Sequence, residues 1–136
     1  MSQRTWFITG VSSGFGHELT AQLLQRGDRA VGTVRDKSKV TYLLERYPKA
    51  FHAEVLDVTD TAGIREVVDR SFARLGRIDV IVSNAGYGLF GAAEELTNRQ
   101  VEHIVATNVI GPFLRPVTLP AWPRASSRAL TYVRRR

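Results

Sequence analysis

The sequence predicts a doubly wound α/β domain on a parallel sheet, and three observations predict it. Strand-length apolar runs alternate with segments of helical period as far as Gly111, and the connections between them are short. A glycine-rich turn, Thr9-Gly10-Val11-Ser12-Ser13-Gly14-Phe15-Gly16, joins the first strand straight to the first helix. Such a turn leaves the unpaired N–H groups of a first helical turn, and the positive end of the helix dipole, facing outward. That is a phosphate cradle.

The elements follow in order. Thr5–Thr9 is the first strand, and a helix from Phe15 to Arg26 carries Leu19, Ala21, Leu23 and Leu24 and ends at Gly27. Arg29–Val34 reads as the second strand. A weaker helix over Lys37–Tyr47 is stopped by Pro48, and Phe51–Val58 forms the third strand. Asp60 or Thr59 caps a helix whose Ile64, Val67, Val68, Phe72 and Leu75 keep the helical period, and Gly76 closes it. Ile78–Ser83 is a fourth strand, nearly all apolar, as a parallel strand covered on both faces should be. Thr97 and Gln100 form a capping box for a last helix with Val101, Ile104, Val105 and Asn108 along one face. The expected strand order is 3-2-1-4.

Composition changes abruptly at Gly111. Six arginines and no acid follow it, and these account for the whole net charge of +6. Four of the five prolines (Pro112, Pro116, Pro120 and Pro123) crowd into the same stretch, which a regular helix does not tolerate. Residues 1–111 are therefore expected to form the folded half-domain and residues 112–136 an Arg/Pro-rich tail, solvated over Ser126–Arg136. No apolar run reaches the roughly 18 residues of a membrane span. The first strand begins within a few residues of Met1, so no leader peptide is expected and a cytoplasmic location is the default. Zero cysteines exclude disulfides and thiolate chemistry, and His17, His52 and His103 are too scattered to suggest a metal site.

Four motifs in order make the chain resemble the N-terminal part of a short-chain dehydrogenase/reductase, a Rossmann-type fold. They are Thr-Gly-x-x-x-Gly-x-Gly at Thr9–Gly16, an acid closing the third strand at Asp57, Asn-Ala-Gly at Asn84–Gly86, and Asn-x-x-Gly at Asn108–Gly111. The resemblance implies an oxidoreductase that moves hydride between a nicotinamide cofactor and an alcohol or carbonyl. It places Gly10, Ser12, Ser13, Gly14, Phe15 and Gly16 around the pyrophosphate, Asp57 and Val58 at the adenine, and Asn84, Ala85 and Gly86 at a ribose. It makes Asn108 the catalytic asparagine, whose backbone holds a water of the proton relay. Where relatives usually carry Asn, this chain has Ser83.

Cofactor choice is read at the end of the second strand. An NAD enzyme places a carboxylate there for the ribose hydroxyls, but this chain has the neutral Val34 followed by Arg35. A guanidinium suits a 2′-phosphate, so NADP is favoured over NAD, provided that the Asp36 carboxylate points away.

The family's chemistry also needs a serine, then a tyrosine with a lysine four residues on. No lysine follows Lys49. Tyr132-Val133-Arg134-Arg135-Arg136, with Ser126 and Ser127 upstream, matches only superficially, because arginine is no tunable lysine. The chain alone is therefore expected to be inactive, and the alternative is a non-catalytic nucleotide-binding protein. Nucleic-acid binding has least support, since the tail offers only Trp122 and Tyr132 beside its arginines. A tail encoded out of frame would explain the simultaneous shift in charge, proline and periodicity. Reading the DNA in its other two frames for a serine strand and Tyr-x-x-x-Lys tests that. With no fifth strand expected, Val80-Ile81-Val82 would form an open apolar edge, a route to oligomers or aggregates.

Overall fold

The structure, a computed structural model, describes residues 2–110 and 128–131. Five strands are present: β1 (Thr5–Thr9), β2 (Arg29–Val34), β3 (Phe51–Val55), β4 (Val80–Ser83) and β5 (Arg128–Thr131). They form one parallel sheet in the order β3-β2-β1-β4-β5. The helices are α1 (Gly14–Gln25), α2 (Thr41–Arg46, entered through a 3₁₀ turn at Lys37–Val40), α3 (Thr61–Leu75) and α4 (Asn98–Val105). A π turn over Ala106–Ile110 continues α4.

Period-two alternation in β1 divides the core between the two faces of the sheet. Trp6 and Ile8 pack with Leu23, Leu24, Val34, Val80 and Val82, whereas Phe7 packs with Val31, Ile64, Val67, Val68 and Ile81. Each large aliphatic or aromatic side chain removed from water in this way contributes about 1.5–3 kcal/mol. A strand apolar on both faces can only be central, and β1 lies between β2 and β4 with Trp6 opposite both Ala30 and Val80.

The helix ends follow the chemistry of their caps. Asp60 Oδ1 accepts from the Gly63 N–H at 3.0 Å, Gly76 ends α3 at φ 71°, and the Thr97–Gln100 capping box closes in both directions. Bounds differ where a partner runs out. β3 stops at Val55, opposite Val34, because β2 ends there; the Leu56 N–H still donates to Val34 O at 2.9 Å before the chain turns. Asp57 thus lies two residues beyond the strand it was expected to close. The α4 face also differs, since Val101 and Val105 are exposed while Thr107 is buried.

The main correction concerns the tail. β5 pairs with β4 from Val80↔Arg128 to Ser83↔Thr131, so the Val80–Val82 edge expected to drive association is covered. Arginine and proline content argued for solvation of residues 126–136. Four residues extend a parallel sheet through their backbone N–H and C=O groups, to which composition is blind. The four tail prolines, Ser126, Ser127 and Tyr132–Arg136 lie outside the described residues.

Candidate functional site: a crevice at the carboxyl end of the sheet

The carboxyl ends of β1 to β4 meet at a crevice of about 570 Å³, where open parallel sheets hold their ligands. Its first lip is the β1–α1 turn. The Gly10 N–H donates to the carbonyl and hydroxyl oxygens of Thr33, at 3.1 and 3.2 Å, which fixes the turn to β2. Gly10 sits at φ 72°, and a Cβ there would lie 2.8 Å from the Ala85 Cα, so only glycine lets the two lips approach. Ser13 caps α1 in extended geometry without spending its side chain on the helix, and no acid stands in the first turn. Ser12, Ser13 and Phe15 line the crevice, whereas Gly16 is buried where a Cβ would meet the Asn84 side chain.

The opposite lip is Asn84-Ala85-Gly86. Thr9 Oγ1 accepts from the backbone N–H groups of Asn84 and Ala85, at 3.0 and 3.1 Å. The Asn84 amide donates to the carbonyls of Thr9 and Gly10, at 3.1 and 2.8 Å. Both of its side-chain hydrogens are thus committed to bracing the lips. What it presents to a ligand is mainly backbone.

Arg35 lines one wall and forms no salt bridge with any described residue. Asp36 is turned to its own backbone: its two carboxylate oxygens take the N–H and hydroxyl of Ser38, at 2.9 and 2.8 Å. The condition set for Arg35 is met. Asp57 and Val58 line the crevice beside Leu56. The backbone N–H and the hydroxyl of Thr59 bind Asp57 Oδ1, at 2.9 and 2.7 Å, and hold its pKa below the usual carboxylate value; electrostatic interaction with His103 and Arg35 acts in the same direction.

Five lining residues escaped the sequence reading: Thr33, Leu56, Tyr87, His103 and Thr107. The Tyr87 hydroxyl and His103 Nδ1 are 2.6 Å apart, tying the loop after β4 to α4. Asn108 binds the same loop, accepting from the Tyr87 N–H at 3.1 Å and donating to its carbonyl at 2.7 Å. The i→i+5 turn places Asn108 and His103, five residues apart, toward one partner. Asn108 is not itself a lining residue; its side chain is a bracket behind the wall. Tyr87 directly follows the Asn-Ala-Gly motif, so one further step along the chain would have found it. A π turn has no signal in the residues.

The family model for short chain dehydrogenases matches residues 4–124. The chain belongs to that family. It is 37% identical over 116 residues to a 3-ketodihydrosphingosine reductase of Bacteroides thetaiotaomicron, covering 82% of this chain and 39% of that protein. A short-chain dehydrogenase from Streptomyces avermitilis superposes with a TM-score of 0.88 at 36% identity, over 96% of this chain and 49% of that one. A Brucella melitensis 3-ketoacyl-(acyl-carrier-protein) reductase complexed with NADH matches at TM-score 0.79 and 28% identity, covering 86% of this chain and 48% of that one. A blue fluorescent protein from a metagenomic library, in complex with NADPH, matches at TM-score 0.81 and 27% identity, over 94% and 54%.

This member of the family therefore has oxidoreductases as relatives and nicotinamide dinucleotide complexes among its structural neighbours. The chain spans about 40% of the length of the curated relatives it matches. Among the described residues no helix is long and apolar enough to cross a membrane, and no group of three metal-ligating side chains forms.

Proposed function

We propose that this crevice binds a nicotinamide dinucleotide, prefers the 2′-phosphorylated form, and does so without turnover by this chain alone. One observation carries the reading: Arg35 faces the crevice without an ion pair among the described residues, while the neighbouring Asp36 carboxylate is occupied by Ser38. The site fits such a ligand on other grounds too. A Cβ would close the Gly10 cradle, and the first turn of α1 is free of acids.

In this reading the turn at Gly10, Ser12, Ser13 and Gly14 takes the pyrophosphate, with Phe15 and Gly16 shaping the start of α1. Arg35 takes the 2′-phosphate. Asp57 and the Val58 backbone meet the adenine, and the backbone at Asn84, Ala85 and Gly86 meets a ribose. Asn108 serves through its backbone as the holder of a relay water. A bound nicotinamide cofactor supplies or accepts the hydride in alcohol–carbonyl interconversion. Residues 1–111 are then the dinucleotide-binding half and residues 112–136 a tail that contributes β5 to its sheet. No lysine follows Lys49 to tune a general-acid tyrosine, which favours a binding-only role for the isolated chain.

Calorimetry with NADP⁺ and NAD⁺, beside an NADPH turnover assay on a carbonyl panel, tests all of this. The expected result is tighter binding of NADP⁺ and no turnover. Equal affinities would remove the role of Arg35, and turnover would remove the binding-only reading.

A further inference from the structure

Three hydroxyl side chains are buried on helical segments among the described residues. Two satisfy themselves in the usual way: Thr20 donates to Gly16 O at 2.7 Å, and Ser71 to Val67 O at 2.6 Å. Thr107 does not. It is 7% exposed, and its Oγ1 has no hydrogen-bond partner among the described residues. The i−4 carbonyl available to it is that of His103, but Thr107 lies in the π turn, where backbone bonding has passed to the i→i+5 pattern. Thr107 also lines the crevice. A buried hydroxyl without a partner costs stability and is rare in native proteins. Where such a side chain lines a cavity, a ligand in the cavity can supply the missing partner.

We propose that Thr107 is a ligand-contact residue whose hydroxyl hydrogen-bonds the adenosine ribose of a dinucleotide in the crevice. The inference rests on the dinucleotide reading given above. The adenosine half follows from its neighbours. One helical turn before Thr107, His103 lines the crevice against Tyr87, with ring centroids 5.5 Å apart, and interacts electrostatically with the Asp57 carboxylate. Arg35 acts on that carboxylate as well, so Thr107, His103, Asp57 and Arg35 belong to one end of the cavity. A hydroxyl both donates and accepts, which matches a ribose hydroxyl in either sense.

Thr107→Val keeps the shape and deletes the hydroxyl. The protein and this variant are compared by thermal melting without ligand and by calorimetry with NADP⁺ and with adenosine 2′,5′-bisphosphate. The variant is expected to melt at or above the temperature of the parent, because an unpaired buried hydroxyl has gone. It should bind both ligands roughly 3–10-fold more weakly, the value of one hydrogen bond. Thr107→Ser should restore most of the affinity. Unchanged affinity in Thr107→Val, loss toward NADP⁺ alone, or a clearly lowered melting temperature would each overturn the assignment. A parent protein that binds neither nucleotide would refute the crevice reading itself, and this inference with it.

Discussion

Replacing Gly10 with alanine separates two costs that the geometry of the first lip combines. At φ 72° an added Cβ strains the backbone by about 1–2 kcal/mol, partly offset by about 0.4–1 kcal/mol from the stiffer unfolded chain. The same Cβ would also stand 2.8 Å from the Ala85 Cα, a backbone atom that cannot swing aside. The Ala85 N–H is held by Thr9 Oγ1, and the Gly10 carbonyl by the Asn84 amide, so relief of the clash must break bonds on both lips. Overpacking of that kind costs roughly a further 1–3 kcal/mol, for a net loss of about 1–5 kcal/mol. Gly76 supplies the control. Its φ is 71° and nothing lies within 4 Å of its built Cβ, so Gly76→Ala carries the strain without the clash. Urea unfolding of the two variants should separate them by about 1–3 kcal/mol, with Gly10→Ala the weaker. Equal losses would show that the lips do not constrain one another, and the close-approach reasoning would fail.

Further outcomes are expected. Arg35→Ala should weaken NADP⁺ binding by about 10-fold or more, the value of a charged hydrogen bond, and leave NAD⁺ unaffected; a preserved preference in calorimetry would count against it. Burial raises the Asp28 pKa, but Arg26, the Arg4 N–H and the Trp6 indole N–H outweigh it, so Asp28 titrates below its ordinary 3.8, as Asp57 does through Thr59. With folded values depressed, their stabilisation is complete above the unfolded pKa and is lost as pH falls through the lowered values. Urea midpoints should therefore fall with acidification below about pH 4, and less steeply in Asp57→Asn. Deleting residues 128–136 uncovers the Val80–Val82 edge; light scattering should then show self-association, and a monomeric truncated chain would mean that β5 does not shield it.

Much of the scaffold was legible because its signals are local. The apolar run Trp6-Phe7-Ile8 between two polar turns, the Thr97–Gln100 pair and Asp60 each specify structure over a few residues, and β1, β2 and both caps lie where expected. What was misjudged depends on partners distant in sequence. Leu56 and Val58 are as apolar as a strand would need, yet β3 ends before them because β2 has no residue left to pair. β5 is invisible to composition, which does not register backbone pairing. On the site, the glycine turn, Arg35, Asp57 and the Asn-Ala-Gly lip were readable as motifs. Thr107 and His103 were not, because no local motif marks either residue and the contact of His103 with Tyr87 joins residues 16 apart in the chain.

The bonding at Thr9 bears on how a ligand would be met. Strands that enter the sheet 75 residues apart in the chain are stitched at the floor of the crevice by Thr9 Oγ1, which takes two N–H groups, and by the Asn84 amide. The floor is ordered as the chain folds, so an arriving nucleotide would meet lips already held at their spacing and need not freeze them. Binding should then be limited by encounter rather than by rearrangement, with little conformational entropy lost by the protein. Thr9→Val would unstitch the floor without touching a crevice-lining side chain, and its signature would be a more unfavourable binding entropy beside a nearly unchanged set of contacts.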